Sequence, residues 1–194
     1  MNSALPTAPA PFHLCGIAGS LRSASFNRAL LRAAQETAPA HLTIAVFDLA
    51  PLPPYDADLE AAGAPEAVAA LQRAIRRADA LLIATPEYNY GIPGVLKNAL
   101  DWASRPPRDS ALAGKPTAIM GASPGFGGTA RAQAMLRMVL AGTHTPALLG
   151  PEVYVAHAND KFDDAGRLTD EPTREHLRKF LLAFEEWTQG QGKR

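Results

Sequence analysis

Residues 12–34 read FHLCGIAGSLRSASFNRALLRAA and contain a strand pattern, a polar turn and a helix pattern, in that order. The run from Phe12 to Ala18 is mostly small or apolar, which is typical of a strand covered on both faces. After the turn, apolar residues recur at helical spacing from Phe26 to Ala34, and Ser23 or Ser25 is placed to cap the helix start. This stretch therefore predicts the first strand, turn and helix of an α/β fold.

The same order of strand and helix repeats along the rest of the chain. Further strands are predicted at 42–47, 80–85, 115–121 and, in broken form, 147–155. Further helices are predicted at 68–75, 92–104 with Pro93 in the first turn, 129–140 and 171–187. Because parallel strands need right-handed crossovers that can hold a helix, we predict a three-layer α/β sandwich. Its five-stranded parallel sheet has the order 2-1-3-4-5, with helices on both faces.

Length, charge and cysteine content restrict the class of protein. The 194 residues suit a single domain, predicted at 12–190, after an Ala- and Pro-rich tail at 1–11. Lys plus Arg and Asp plus Glu both number 19, so the charge predicts neither a nucleic acid nor an anionic membrane as partner. The single cysteine, Cys15, excludes an intramolecular disulfide, and no apolar stretch approaches the roughly 18 to 20 residues of a membrane span. We expect a cytoplasmic protein.

The turn that follows the first strand, residues 19–28, is rich in hydrogen-bond donors. Ser20, Arg22, Ser25 and Asn27 lie within it, and it contains no acidic residue. Hydroxyl, amide and guanidinium donors beside a helix start favour a phosphate dianion. The turn matches neither the dinucleotide fingerprint nor the P-loop, so a terminal monophosphate fits better. The alternative is a serine that only caps the helix while the arginines lie in solvent.

The turn after the third strand, residues 86–94, combines two tyrosines with prolines, glycines and an amide. Proline fixes the path of the backbone, and glycine allows close approach to a ligand. Exposed N–H groups in this second turn could hydrogen-bond one edge of a flavin ring while a tyrosine covers part of a face. An ordinary Pro/Gly turn with tyrosines at its rim is the alternative.

Two motifs in these turns resemble the NAD(P)H-dependent FMN reductase family. The first is Gly19-Ser20-Leu21-Arg22 with Ser25 and Asn27; the second is the segment 85–91 followed by PGVLKNALDW at 93–102. The chain is especially similar to the branch that includes bacterial chromate and quinone reductases, from about Phe12 to the last helix. The resemblance implies a flavodoxin-like fold, FMN as cofactor, NAD(P)H as co-substrate, and a homodimer or homotetramer. It also implies that the first motif holds the FMN phosphate and that the second lies along the isoalloxazine ring.

The turn after the fourth strand, residues 121–128, matches the G-x-S-x-G motif of serine hydrolases. A triad of Ser123, His176 and one of Asp163, Asp164 or Asp170 would even follow the chain order of α/β hydrolases. The residue after the nucleophile must donate its N–H to the oxyanion, however, and Pro124 has none. This argues against a hydrolase. The family resemblance implies that Ser123 and Gly125 of this third turn contact the ring or the ribityl chain, and we expect Phe126 to shape the substrate opening; an ordinary Gly-rich loop is the alternative.

The sequence thus predicts an FMN-dependent oxidoreductase that passes electrons from NAD(P)H to a small-molecule acceptor: a quinone, free flavin, an azo compound or a metal oxyanion. No catalytic side chain is assigned, and the scattered histidines predict no metal site. The alternatives are a flavodoxin-type electron carrier and, with less support, a serine hydrolase. The predicted cofactor-binding residues are Ser20, Arg22, Ser25, Phe26, Asn27, Pro86, Glu87, Tyr88, Asn89, Tyr90, Ser123 and Gly125.

Overall fold

The computed structural model of the chain describes residues 9–191. Its strands are β1 (Phe12–Ala18), β2 (Leu42–Phe47), β3 (Ala80–Ala84), β4 (Thr117–Ala122) and β5 (Val153–Val155). Its α-helices are α1 (Phe26–Thr37), α2 (Ala57–Ala61), α3 (Glu66–Arg77), α4 (Gly94–Ala103), α5 (Ala130–Gly142) and α6 (Glu171–Gln191). Short 3₁₀ helices cover Pro107–Asp109 and Ala158–Asp160.

The strands form one parallel sheet in the order β2-β1-β3-β4-β5. Phe12 of β1 lies opposite Leu42 of β2, and Leu14 of β1 lies opposite Ala80 of β3. The predicted strand order is therefore confirmed. The strand order reverses between β1 and β3, which is where sheets of this kind bind ligands, beyond the carboxyl ends of the strands.

Side chains of the central strands alternate between two apolar clusters, one on each face of the sheet. In β1, Leu14 belongs to one cluster, whereas Cys15 and Ile17 belong to the other. In β3, Leu82 faces the first cluster and Leu81 the second. Helices α1 and α6 supply the first cluster, and α3, α4 and α5 supply the second. This alternation confirms the predicted arrangement of helices on both faces.

The structure corrects several predicted boundaries. Helix α4 begins at Gly94 rather than at residue 92, because Pro93 has the extended backbone of an N-cap and does not lie in the first turn. Strand β4 begins at Thr117 rather than at 115, because Pro116 has no N–H to donate across the sheet. Helix α2 was not predicted. It has five residues, none of them buried, so no apolar period marks it in the sequence.

Two further findings concern the described residues alone. None of the helices between residues 9 and 191 combines the length and apolarity needed to cross a bilayer. Within the same range, no group of three or more His, Cys, Asp or Glu side chains is arranged to hold a metal ion. The predicted tail lies largely outside the described residues, since only positions 9–11 of it are included, and these are exposed.

Candidate functional site

The three turns singled out in the sequence meet at the carboxyl edge of the sheet. The N–H of Gly19 donates to the carbonyl of Ala84, and the hydroxyls of Ser20 and Tyr88 lie 3.3 Å apart. A side chain on Gly19 would come within 3.2 Å of the Pro86 ring, so the absence of a Cβ there allows the close approach of the first and second turns. Residues about 70 positions apart in the chain therefore share one surface.

The first turn presents backbone donors for which residues 9–191 supply no acceptor. Within the described residues, the N–H groups of Leu21, Ser23, Ala24 and Phe26 make no hydrogen bond. Ser25 caps α1, because its hydroxyl accepts the N–H of Asn27 at 3.2 Å. Unsatisfied N–H groups at a helix start carry partial positive charge, which favours an anion.

Side chains add to this donor set. Ser20 and Ser25 are buried at the base of the turn, whereas Arg22 is exposed at its rim and bonds the carbonyl of Ala24. A cavity of about 560 Å³ opens beside the turn and is lined by residues 22–26, Arg32 and the segment 162–166. The first turn is thus open to solvent on the side that faces this cavity.

Asn27 and Phe26 have contacts that the sequence did not indicate. The amide of Asn27, which is only 2% exposed, donates to the carbonyl of Ala122 and accepts its N–H, both at 2.9 Å. These bonds fix the first turn to the end of β4, and they leave one amide hydrogen of Asn27 for the predicted phosphate contact. The half-buried Phe26 ring packs against Phe162 with centroids 5.5 Å apart, and the backbone N–H of Phe26 is the group that can bind a phosphate.

The second turn is a tight hairpin in a left-handed backbone conformation. Tyr88 and Gly91 exchange both backbone hydrogen bonds, at 3.0 and 2.9 Å. The two residues between them, Asn89 and Tyr90, have φ of 50° and 65°. This geometry matches a type I′ turn, in which both central residues have positive φ. It costs a residue such as tyrosine roughly 1–2 kcal/mol, and strain of this kind is concentrated at functional sites.

Contacts with the start of α5 connect the second turn to the third. The carboxylate of Glu87 accepts the N–H groups of Arg131 and Ala132, at 3.0 and 3.2 Å. The guanidinium of Arg131 pairs with Glu87 at 3.2 Å and lies over the Tyr90 ring, 4.3 Å from its centroid. The side chain of Glu87 is therefore bound to protein donors. Arg131 was not among the predicted site residues. Its position as the second residue of the helix that follows the glycine-rich turn could have indicated it.

The third turn is held by backbone contacts. The hydroxyl of Ser123 accepts the N–H of Gly125 at 3.1 Å, and the N–H of Ser123 donates to Val155. A Cβ on Gly121 would collide with the Thr129 hydroxyl oxygen, so only glycine allows α5 to approach β4 this closely. Phe126 is 81% exposed at the tip. Its side chain is thus free to border an opening.

The structure does not assemble the hydrolase triad. His176 hydrogen-bonds the carbonyl of Glu152 at 2.7 Å rather than Ser123. Asp163 is paired with Arg167, whose N–H groups hold the pKa of that carboxyl below its usual value. The Thr173 hydroxyl likewise lowers the pKa of Asp170. Neither carboxylate is positioned to orient a histidine at Ser123.

The long segment after β2 is attached to α4, which the sequence also did not indicate. Asn98 accepts the N–H of Tyr55 at 2.7 Å and donates to the carbonyl of Pro53 at 2.9 Å. The Trp102 indole N–H donates to the same carbonyl at 2.9 Å. Two residues of the PGVLKNALDW motif thus fix this segment to α4.

The residues present fit FMN. Free N–H groups, buried hydroxyls and an arginine are the donors that a phosphate monoester requires. The second turn lies beside them, and in the part of the chain that the structure describes the N–H groups of Asn89 and Tyr90 have no acceptor, which suits the polar edge of a planar ring. The first turn lacks the length and lysine of a triphosphate site.

Comparisons with known proteins agree with this geometry. Residues 12–160 match the family model described as NADPH-dependent FMN reductase. The chain is 49% identical to an NAD(P)H-dependent FMN reductase of Pseudomonas aeruginosa, over 89% of this chain and 92% of that protein. It is 43% identical to a quinone reductase of Escherichia coli, over 88% and 92% of the two chains.

Solved structures show the same fold. The flavoenzyme FerB, an NAD(P)H:(acceptor) oxidoreductase from Paracoccus denitrificans, superimposes with a TM-score of 0.86 at 38% identity, covering 93% of this chain and 98% of that one. An archaeal flavodoxin superimposes with a TM-score of 0.58 at 9% identity, covering 92% and 99%. The second likeness concerns the fold alone.

Proposed function

This chain belongs to the NADPH-dependent FMN reductase family, and from that premise we propose that it is an FMN-dependent oxidoreductase that uses NAD(P)H to reduce a small-molecule acceptor. A quinone is the acceptor class best supported, since relatives at 42–43% identity are quinone reductases. Free flavin, azo compounds and metal oxyanions are further acceptors to be screened. The observation that carries the proposal is the set of unpaired N–H groups in the first turn, directly beside the tyrosine hairpin.

Each turn has a part in this proposal. Ser20, Arg22, Ser25 and the N–H of Phe26 hold the phosphate, and Asn27 fixes their turn to β4. The backbone at 86–90 binds the polar edge of the ring, and Tyr88 covers part of it. Ser123 and Gly125 contact the ring or the ribityl chain.

FMN, when bound, supplies hydride acceptance from the nicotinamide and onward electron transfer to the acceptor. The chain orients the reactants and directs N–H dipoles at the place where negative charge accumulates. No side chain is proposed as an essential proton donor.

Assembly and location complete the proposal. Met135 and Met138 of α5, with Leu149, are large apolar side chains that are 40%, 70% and 81% exposed. We propose a homodimer or homotetramer, as the family resemblance implies; the two methionines, three positions apart on α5, are compatible with such an interface. We further propose that residues 12–190 act as one FMN-binding domain. The free thiol of Cys15 is consistent with a cytoplasmic location.

Anaerobic spectroscopy tests the activity. The purified protein reconstituted with FMN is expected to absorb at about 450 nm. This absorbance should be lost on addition of NADH or NADPH and should return on addition of 1,4-benzoquinone. Steady-state oxidation of NAD(P)H should follow in the presence of quinone. Bound FMN without such turnover would instead indicate an electron carrier, and fluorophosphonate labelling of Ser123 would indicate a hydrolase.

A further inference from the structure

Helix α5 begins without a cap of its own. Its N-cap residue, Thr129, has φ of 75°, and its side chain accepts no hydrogen bond from the helix start. The N–H groups of the second and third helical residues, Arg131 and Ala132, instead donate to Glu87, 44 and 45 positions earlier in the chain. Glu87 thus replaces the local cap that helices ordinarily have.

The same carboxylate determines the position of Arg131. One oxygen of Glu87 accepts the two helix N–H groups, and the other lies 3.2 Å from the guanidinium. The Glu87 side chain is 13% exposed and that of Arg131 is 51% exposed. A partly desolvated, charge-assisted contact of this kind holds an arginine more firmly than an exposed pair does.

Arg131 in turn contacts Tyr90. The Tyr90 ring is 71% exposed, so packing does little to fix its position. The guanidinium lies over this ring at 4.3 Å from the centroid, within the range of a cation–π contact. Glu87, Asn89 and Tyr90 line an open cavity of about 510 Å³. Tyr90 therefore borders open space beside the second turn.

We propose that Glu87 is a positioning residue, which fixes the Tyr90 ring at the substrate opening by holding Arg131 on the first turn of α5. The inference rests on the proposed function and deepens it. It changes the predicted role of Glu87: the carboxylate is bound to protein donors, so only the backbone of this residue is left to contact the ring. Tyr90 then borders the space into which the acceptor enters.

Steady-state kinetics of the FMN-loaded enzyme with NADH and 1,4-benzoquinone test this. Glu87→Gln and Arg131→Gln should each raise the KM for benzoquinone about fivefold, with kcat changed less than twofold, because acceptor binding is affected rather than electron transfer. The double variant should be no worse than either single one, since both act through one chain of contacts. Tyr90→Leu should raise the KM for benzoquinone by the same factor as these variants.

Glu66→Gln is the matched control. It removes a carboxylate that pairs with Arg73 on the exposed face of α3, and its KM and kcat should equal those of the wild type. An unchanged KM in Glu87→Gln, a loss confined to kcat, or additive effects in the double variant would overturn the proposal. In Arg131→Gln, Glu87 can still accept the N–H groups at the start of α5. If Glu87→Gln does not fold, the KM of Arg131→Gln alone therefore tests the proposal. A wild-type protein without FMN or NADH turnover would refute the proposed function instead.

Discussion

Ser25 and Ser23 lie two positions apart in the first turn but differ in their surroundings. Ser25 is 6% exposed and caps α1 through the N–H of Asn27, whereas Ser23 is exposed. The sequence could not distinguish them as caps, because both precede the apolar period of the helix. The distinction depends on which residue is the last with an extended backbone before the helix. That residue is Ser25, with φ of −75° and ψ of 129°.

Ser25→Ala should lower the free energy of unfolding by about 1 kcal/mol, the usual loss for a helix cap. The melting temperature should fall by about 2–4 °C in a chain of this size. Ser23→Ala, its matched control, should stay within about 0.5 kcal/mol of the wild type. Thermal unfolding followed by circular dichroism makes the comparison, and equal losses in the two variants would argue against the cap.

Cys15 illustrates how burial controls reactivity. The thiol is 3% exposed within β1, and burial raises its pKa from 9.0 to about 11, although the nearby Lys115 ammonium acts to lower it. The thiolate is the reactive form, so this cysteine should be inert near neutral pH.

Iodoacetamide at pH 8 should therefore leave Cys15 unmodified in the folded protein and alkylate it in urea, as measured by mass spectrometry. Stability should respond to pH with a definite sign. The folded state retains the thiol proton to higher pH than the unfolded state, so this group's contribution to stability is complete below pH 9 and falls between pH 9 and about 11. Rapid alkylation under native conditions would contradict the burial.

At the scale of elements, the pattern of apolar and polar residues predicts strands and helices, because these depend on residues that are close in the sequence. Apolar runs such as Ala80–Ala84 predicted the strands, and 3.6-residue periods predicted every α-helix except the short, unburied α2. The same pattern does not predict contacts between residues that are far apart in the sequence. Glu87 caps α5 by accepting the N–H of Arg131, 44 positions away. Asn27 connects α1 to β4 by donating to the carbonyl of Ala122, 95 positions away. No local propensity encodes such pairs, which is why the three turns were predicted and their mutual contacts were not.

Asn98 carries an element-scale prediction. Asn98→Ala removes both side-chain bonds to the segment after β2 and leaves the N–H of Tyr55 without its acceptor. The free energy of unfolding should fall by about 1–3 kcal/mol, and limited proteolysis should cut residues 50–65 faster.

Lys97→Ala, on the same helix, removes only the ion pair with Asp101 and should change the free energy of unfolding by no more than about 0.5 kcal/mol. Urea unfolding of the two variants gives the comparison. A loss of similar size in both would mean that the bonds from Asn98 add nothing to the attachment of this segment.

At the scale of the whole molecule, one topological fact accounts for the site. The order β2-β1-β3-β4-β5 brings the turns after β1, β3 and β4 to one edge, so a phosphate and a planar ring can be held by a single surface. The chain is also neutral as a whole, with 19 basic and 19 acidic residues. Long-range steering is therefore weak, and kcat/KM for an uncharged quinone should change less than about twofold between 20 and 200 mM salt.

Comparing FMN with riboflavin, which lacks the phosphate, tests the account most directly. Fluorescence titration should show FMN bound at least about 100-fold more tightly, since two or more charge-assisted hydrogen bonds at about 1.5–3 kcal/mol each are lost without the phosphate. The ratio should fall at least about tenfold in Arg22→Gln and stay unchanged in Arg73→Gln on α3. Equal affinities for the two flavins, or a ratio unaffected by Arg22→Gln, would contradict a phosphate site in the turn after β1.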